Sequence, residues 1–130
     1  MSKFVRFEEI ESWKLLRELS RDLHDLFGNG KFKNDYTLWN QINGSSGSIM
    51  DNIAEGQERG GRKEFIQFLS FAKGSCGETR SQLYRMLDRK YINEGEFSIL
   101  VEKAEHCSRK INNLMTYLQG TTIQGGKFRF

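Results

Sequence analysis

Apolar side chains recur along this chain at alternating intervals of three and four residues in four separate stretches. That spacing aligns them on one face of an α-helix and not on alternate faces of a strand. In the first stretch, about Phe7 to Phe27, Ile10, Trp13, Leu16, Leu19, Leu23 and Leu26 keep the step, and Gly28-Asn29-Gly30 supplies residues that tolerate positive φ and end it. Lys31 to Asn34 reads as a short loop, with Asn34 or Asp35 as the N-cap of the next helix.

The second stretch sets pattern against propensity. Trp39, Ile42, Ser46, Ile49 and Ile53 keep a strict 3-4-3-4 seam, yet residues 43–48 read Asn-Gly-Ser-Ser-Gly-Ser. Each glycine there costs roughly 1 kcal/mol against alanine in a helix interior. The periodicity stays in phase on both sides, so the spacing predicts one continuous helix stopping at Gly56, with the small residues admitting a neighbouring helix at close range. After residues 57–61, a third helix is predicted from about Arg62 to Lys90. Phe65, Phe68, Leu69, Ala72, Cys76, Thr79, Leu83 and Met86 form its inward stripe. A fourth runs from about Glu94 to Leu118 through Phe97, Leu100, Ala104, Cys107, Ile111, Leu114 and Leu118.

Four such helices joined by short loops make an all-α, up-down-up-down four-helix bundle over residues 1–118, with a flexible tail over 119–130. Ile66 and Phe71 fall off the inward stripe of the third helix. With Phe68 they would expose a contiguous aromatic-rich patch on a lone protomer, and such patches mark interfaces. Closed self-association is the economical way to cover it. The alternative is a monomer that hides the patch under its loops or tail.

Composition narrows the setting. The chain has 130 residues, no proline and two cysteines, which suits one domain. It contains no run of about 18 apolar residues, so no membrane helix is expected. The opening MSKFVRFEEIESWK lacks the apolar core of a signal peptide, and the cytoplasm is the default expectation. Cys76 and Cys107 both sit on apolar faces, where buried thiols are expected in preference to a disulfide.

Charge is more uneven than the net value of +3 implies. Residues 35–56 hold Asp35, Asp51 and Glu55 and no lysine or arginine, whereas residues 57–90 carry eight basic against four acidic side chains. These are either solvated helix faces or a basic patch of Arg59, Arg62 and Lys63, joined by Lys31 and Lys33, that meets an anionic partner. The C-terminal Lys127-Phe128-Arg129-Phe130 alternates basic and aromatic residues. It is suited to stacking on bases while binding phosphate, to docking on a protein, or to remaining disordered.

Candidate chemistry is sparse. Asn52 and Glu55 are three apart and share a face; Glu78 precedes the inward Thr79 and is placed to reach the same layer. A hydrogen-bonded network that fixes helix register is the favoured role for the three, because a buried carboxylate without a partner is costly. Cation or ligand binding is the other. A di-metal bundle site needs inward glutamates with Glu-x-x-His pairs, and neither His24 nor His106 has that glutamate. No second Cys-x-x-Cys half accompanies Cys107, and no glycine-rich run ends in Gly-Lys-Ser/Thr. The chain is therefore read as non-enzymatic, with no metal, no cofactor and no small-molecule substrate.

Asn52-Ile53-Ala54-Glu55-Gly56, then Arg59, Lys63-Glu64-Phe65, Phe68-Leu69, Ala72, Gly74-Ser75 and Glu78, resemble the signature of the 23S rRNA intervening-sequence proteins over roughly residues 5–118. The resemblance implies a left-handed up-down bundle that assembles as a homopentameric ring. It also implies kinship with the accessory variability proteins of diversity-generating retroelements, which bind RNA and a reverse transcriptase. Members of that family usually carry one or two arginines where this chain has Asn43 and Gly44. They carry Val-Ser-Ile-Pro-Ser where it has Gly47-Ser48-Ile49-Met50-Asp51. These departures weaken RNA binding through the second helix, and replacing proline by Met50 removes a kink. The chain is thus expected to be a homo-oligomeric assembly protein. The other expectation is an RNA-binding accessory factor in which Arg59, Arg62, Lys63, Lys127 and Arg129 supply positive charge.

Overall fold

The computed structural model describes residues 6–120. They form a single 3-10 turn at Phe7–Glu9 and four α-helices: α1 Glu11–Gly28, α2 Tyr36–Arg59, α3 Arg62–Asp88 and α4 Glu94–Gln119. Each helix packs on its neighbours in the chain and α1 closes onto α4. This is the four-helix bundle that the apolar stripes predict. The α2–α3 pair is the most extensive contact.

Helix starts and stops follow local chemistry. Ile10 is extended, so α1 begins later than Phe7. The 3-10 turn instead folds Phe7 edge-on against Trp13, at 5.2 Å between ring centroids. Trp13 and Leu26 flank the core half-buried, while Ser12, Leu16, Leu19 and Leu23 form the buried stripe. The end of α1 is closed by paired bonds from Gly30 N–H to Phe27 carbonyl and from Lys31 N–H to Leu26 carbonyl, with Gly30 left-handed. The end of α3 repeats the motif through Lys90 and Tyr91 N–H, and here a lysine takes the left-handed position at φ 63°.

Asp35 is the N-cap of α2, accepting a bond from Leu38 N–H at 3.1 Å. Its carboxylate also accepts from Arg89 Nη1 at 2.6 Å and the Tyr91 hydroxyl at 2.9 Å, tying α2 to the α3–α4 turn. The Leu38 N–H, the Tyr91 hydroxyl and Arg89 together hold this carboxyl below the usual aspartate range. At the start of α4, Asn93 and Glu96 form a reciprocal capping box.

The second helix is continuous through residues 43–48, but the stop predicted at Gly56 is corrected: α2 runs on to Arg59 and ends at left-handed Gly60. Gly56 is buried inside the helix because α3 crosses there. A Cβ at this position would lie 2.7 Å from Phe68 Cβ and 3.1 Å from Phe65 Cδ1. The close approach expected of residues 43–48 is made by serines, Ser45 reaching Thr79 and Gln82 and Ser48 reaching Ser75. A Cβ on Gly44 or Gly47 would meet nothing within 4 Å, so these glycines are not what admits α3.

All seven inward residues predicted for α4 are buried, as are those of α3 except half-buried Phe68. Three described core residues lie outside the helices: Ile10, Phe32 and Ile92. Phe32 contacts the rings of Phe27, Trp39 and Tyr91 and plugs one end of the bundle. Cys76 and Cys107 are free, buried thiols with sulfurs 4.0 Å apart. Contact with Cys76 and burial both push the Cys107 thiol far above its usual range, keeping it protonated and inert. Helix α4 extends through Gln119, one residue past the bundle boundary expected at 118, and Lys127 and Arg129 lie outside the described residues.

Candidate partner-binding surfaces

Of the three polar residues expected to hold α2 on α3, Asn52 joins the network between the helices, through Ser48 to Ser75, and Glu55 and Glu78 do not. Asn52 is half-buried and donates to the Ser48 carbonyl at 2.8 Å and to Ser48 Oγ at 3.0 Å. Glu55 is exposed and pairs with Arg59 at 2.9 Å; Glu78 is exposed. The three do not converge on one layer. An exposed carboxylate has no desolvation penalty driving it toward a shared network.

The network between α2 and α3 is built chiefly from hydroxyls. Ser45 Oγ lies 2.6 Å from Gln82 Oε1 and 2.8 Å from Thr79 Oγ1, all three residues buried. Ser45 has one proton, so it donates to Gln82 and accepts from Thr79. One layer along, Ser75 donates to Ser48 Oγ at 3.1 Å. The seam in the sequence contains Ser46, whose hydroxyl turns back to the Ile42 carbonyl at 2.7 Å. Its neighbour Ser45 is the one that crosses to α3. The order of apolar residues points to Ser46; only helix pairing distinguishes the two.

The aromatic residues divide across α3. Phe68 and Phe71 meet edge-to-face at 5.7 Å, and Phe71 is 49% exposed. Ile66 lies about 200° around the helix from Phe68 and packs, half-buried, against the edge of the core. The contiguous three-residue patch expected from the sequence is thus two separate features on one protomer. Arg59 lies over the Phe68 ring, 4.9 Å from its centroid, as well as pairing with Glu55. Arg62 has a contact of its own, and Lys63 is exposed. The basic turn between α2 and α3 is therefore partly occupied by its own neighbours.

A stronger positive feature lies elsewhere. Helices α3 and α4 are separated along their outer side by a groove of about 720 Å³, lined by Lys73 and Arg80 from α3 and by Arg109 and Lys110 from α4. Glu105 is the one carboxylate in its lining; His106, Ser108, Asn112 and Asn113 add polar groups. Arg80 Nε is buried and has no hydrogen-bond partner among the described residues. Arg109 pairs with Glu102 at 3.7 Å, both largely exposed. The signal in the sequence is faint: Lys73 and Arg80 are seven apart, and Arg109-Lys110 is a plain basic pair. Nothing local places those pairs side by side.

Among the described residues, no group of three His, Cys, Asp or Glu side chains could hold a metal ion. No described helix is long and apolar enough to cross a membrane.

Known proteins share this architecture. A protein of unknown function from the S23 ribosomal protein family of Bacteroides thetaiotaomicron VPI-5482 has a similar fold. The TM-score is 0.71 over 80% of this chain and 97% of that one, at 20% sequence identity. No curated protein matches the chain. The family model described as 23S rRNA-intervening sequence protein matches residues 8–113, most of α1 through α4. The four-helix chain thus belongs to the 23S rRNA-intervening sequence protein family.

Proposed function

We propose that the chain is a non-enzymatic assembly protein that closes into a homo-oligomeric ring and presents its outer surface to a macromolecular partner. The observation that carries this is Phe71, half-exposed beside Phe68 on a bundle whose core is already filled by other residues. A solvated pair of phenylalanine rings loses free energy that a partner protomer would recover by covering it. Five subunits is the number the family resemblance suggests. Phe71→Glu is expected to lower the solution mass measured by light scattering while leaving helical content unchanged. An unaltered mass would remove this interface from the proposal.

A second function, RNA-binding accessory factor, in the company of a reverse transcriptase or within a ribonucleoprotein, is favoured by the α3–α4 groove and its four cations. Retention on structured RNA that weakens steeply as salt rises would support it, because each phosphate contact releases counterions. Absence of retention at low salt would leave assembly as the remaining role.

A further inference from the structure

We propose that the α3–α4 groove is a phosphodiester-backbone site that holds structured RNA without regard to sequence, an inference that rests on the RNA-binding function above and gives it a location. Three observations converge on this surface. First, the lining sets four permanent cations against one carboxylate. Lys73 and Lys110 have no ion pair among the described residues, so no described carboxylate neutralises their charge.

Second, Arg80 Nε is buried without an acceptor. A guanidinium presents planar donors that match a phosphate's oxygens. Nε itself has no open surface, so a phosphate resting in the groove would meet the part of this half-buried side chain that lines it. Third, the cations are strung out and not gathered at a point. Lys73 and Arg80 stand about 10 Å apart along the axis of α3, and the consecutive Arg109 and Lys110 add a third position across the groove on α4. Such a track suits a succession of phosphates better than a single anion.

The remaining lining narrows the chemistry. Ser108, Asn112 and Asn113 offer hydrogen bonds to phosphate oxygens or ribose hydroxyls. The lining contains no Phe, Tyr or Trp on which an unpaired base could stack. With His106 the one aromatic ring in the lining, backbone contact predominates over base stacking on such a surface. The groove is also independent of the aromatic pair. Residues 71 and 80 are about two and a half helical turns apart, which puts them on opposite flanks of α3, so assembly through Phe71 leaves the cations uncovered by that contact.

The test uses the full chain and a labelled RNA hairpin, followed by fluorescence anisotropy over a salt series. Lys73→Glu combined with Lys110→Glu is expected to lower affinity by about tenfold or more at low salt. It should also flatten the salt dependence by about 0.7–0.9 in log–log slope for each phosphate no longer held. Solution mass and circular dichroism should not change. Arg80→Lys keeps the charge but loses the planar donors, and is expected to weaken binding as well. Equal binding by the parent and the groove variants would overturn the site while leaving RNA binding itself intact. Failure of the parent to bind at low salt would overturn both. Binding of polyglutamate as tightly as RNA would make the groove an acidic-peptide site and defeat the proposal. Loss on Lys63→Glu with none on the groove pair would move the contact to the α2–α3 turn.

Discussion

Helix α3 has two flanks, and they are built on opposite principles. Toward α2 it meets small residues: Gly56 lets the Phe68 backbone region approach closely, and the hydroxyls of Ser45, Thr79, Ser48 and Ser75 satisfy one another. Toward the outer side of α4 it carries long cations, which line an open groove where Arg80 Nε has no partner among the described residues. Side-chain length decides the difference. Short polar groups close their hydrogen bonds across a helix pair with little loss of rotamer freedom, whereas lysine and arginine seek water or an anion. One flank therefore serves packing, and the other is open to binding.

That contrast can be broken at several points. Gly56→Ala should have the largest effect, because the added methyl meets Phe68 Cβ, an atom fixed to the backbone of α3. Overpacking of this kind costs about 1–3 kcal/mol, and a chemical denaturation midpoint would report it. A variant as stable as the parent would show that the two helices separate freely there. Ser45→Ala strips Gln82 Oε1 and the Thr79 hydroxyl of a buried partner. Leaving a buried polar group unsatisfied costs about 1–3 kcal/mol. The milder end is expected, because a helical threonine hydroxyl can turn to the carbonyl one turn back. Equal stability would mean that the hydroxyl layer does not hold α2 on α3.

Gly44→Ala should do the reverse. Its Cβ would enter open space within a helix, so denaturation should show a gain of about 0.5–1 kcal/mol. A loss, or a fall in solution mass, would show that another protomer packs against Gly44. The smallest effect is expected from pH. The Asp35 carboxyl is held low in the fold by Leu38 N–H, Tyr91 and Arg89, so its contribution is full above the ordinary aspartate range. That contribution fades as pH falls through the depressed value. Asp35→Asn should flatten the acid limb of a stability–pH curve, and an unchanged slope would remove the carboxylate from that linkage.

The same two flanks divide the features legible in the residues alone. On α4, every inward position follows from the three-four step, because burial of a helix face imposes one period on a contiguous segment. The α2 helix is legible through its weak centre for the same reason: phase persists where propensity fails. Gly56 shows where such inference stops. A glycine after Asn-Ile-Ala-Glu has the look of a helix end, yet it is the crossing point of a helix whose cap is Gly60. Phe32 reads as loop, since no period marks an isolated aromatic between two lysines. Glu55 and Glu78 have the right spacing to approach the hydroxyl layer but face water.

The order of apolar and polar residues suffices for four helices, their approximate lengths and most of the buried stripe, since each depends on neighbours within a turn or two of the chain. It does not reach the choice of Ser45 as the serine that crosses to α3, or the parting of Ile66 from Phe68 and Phe71. Nor does it place Lys73 and Arg80 beside Arg109 and Lys110. Those facts depend on how one rod is rotated and seated against another. Helix–helix rotation is set by the sum of packing across the whole interface, and no short segment encodes that sum.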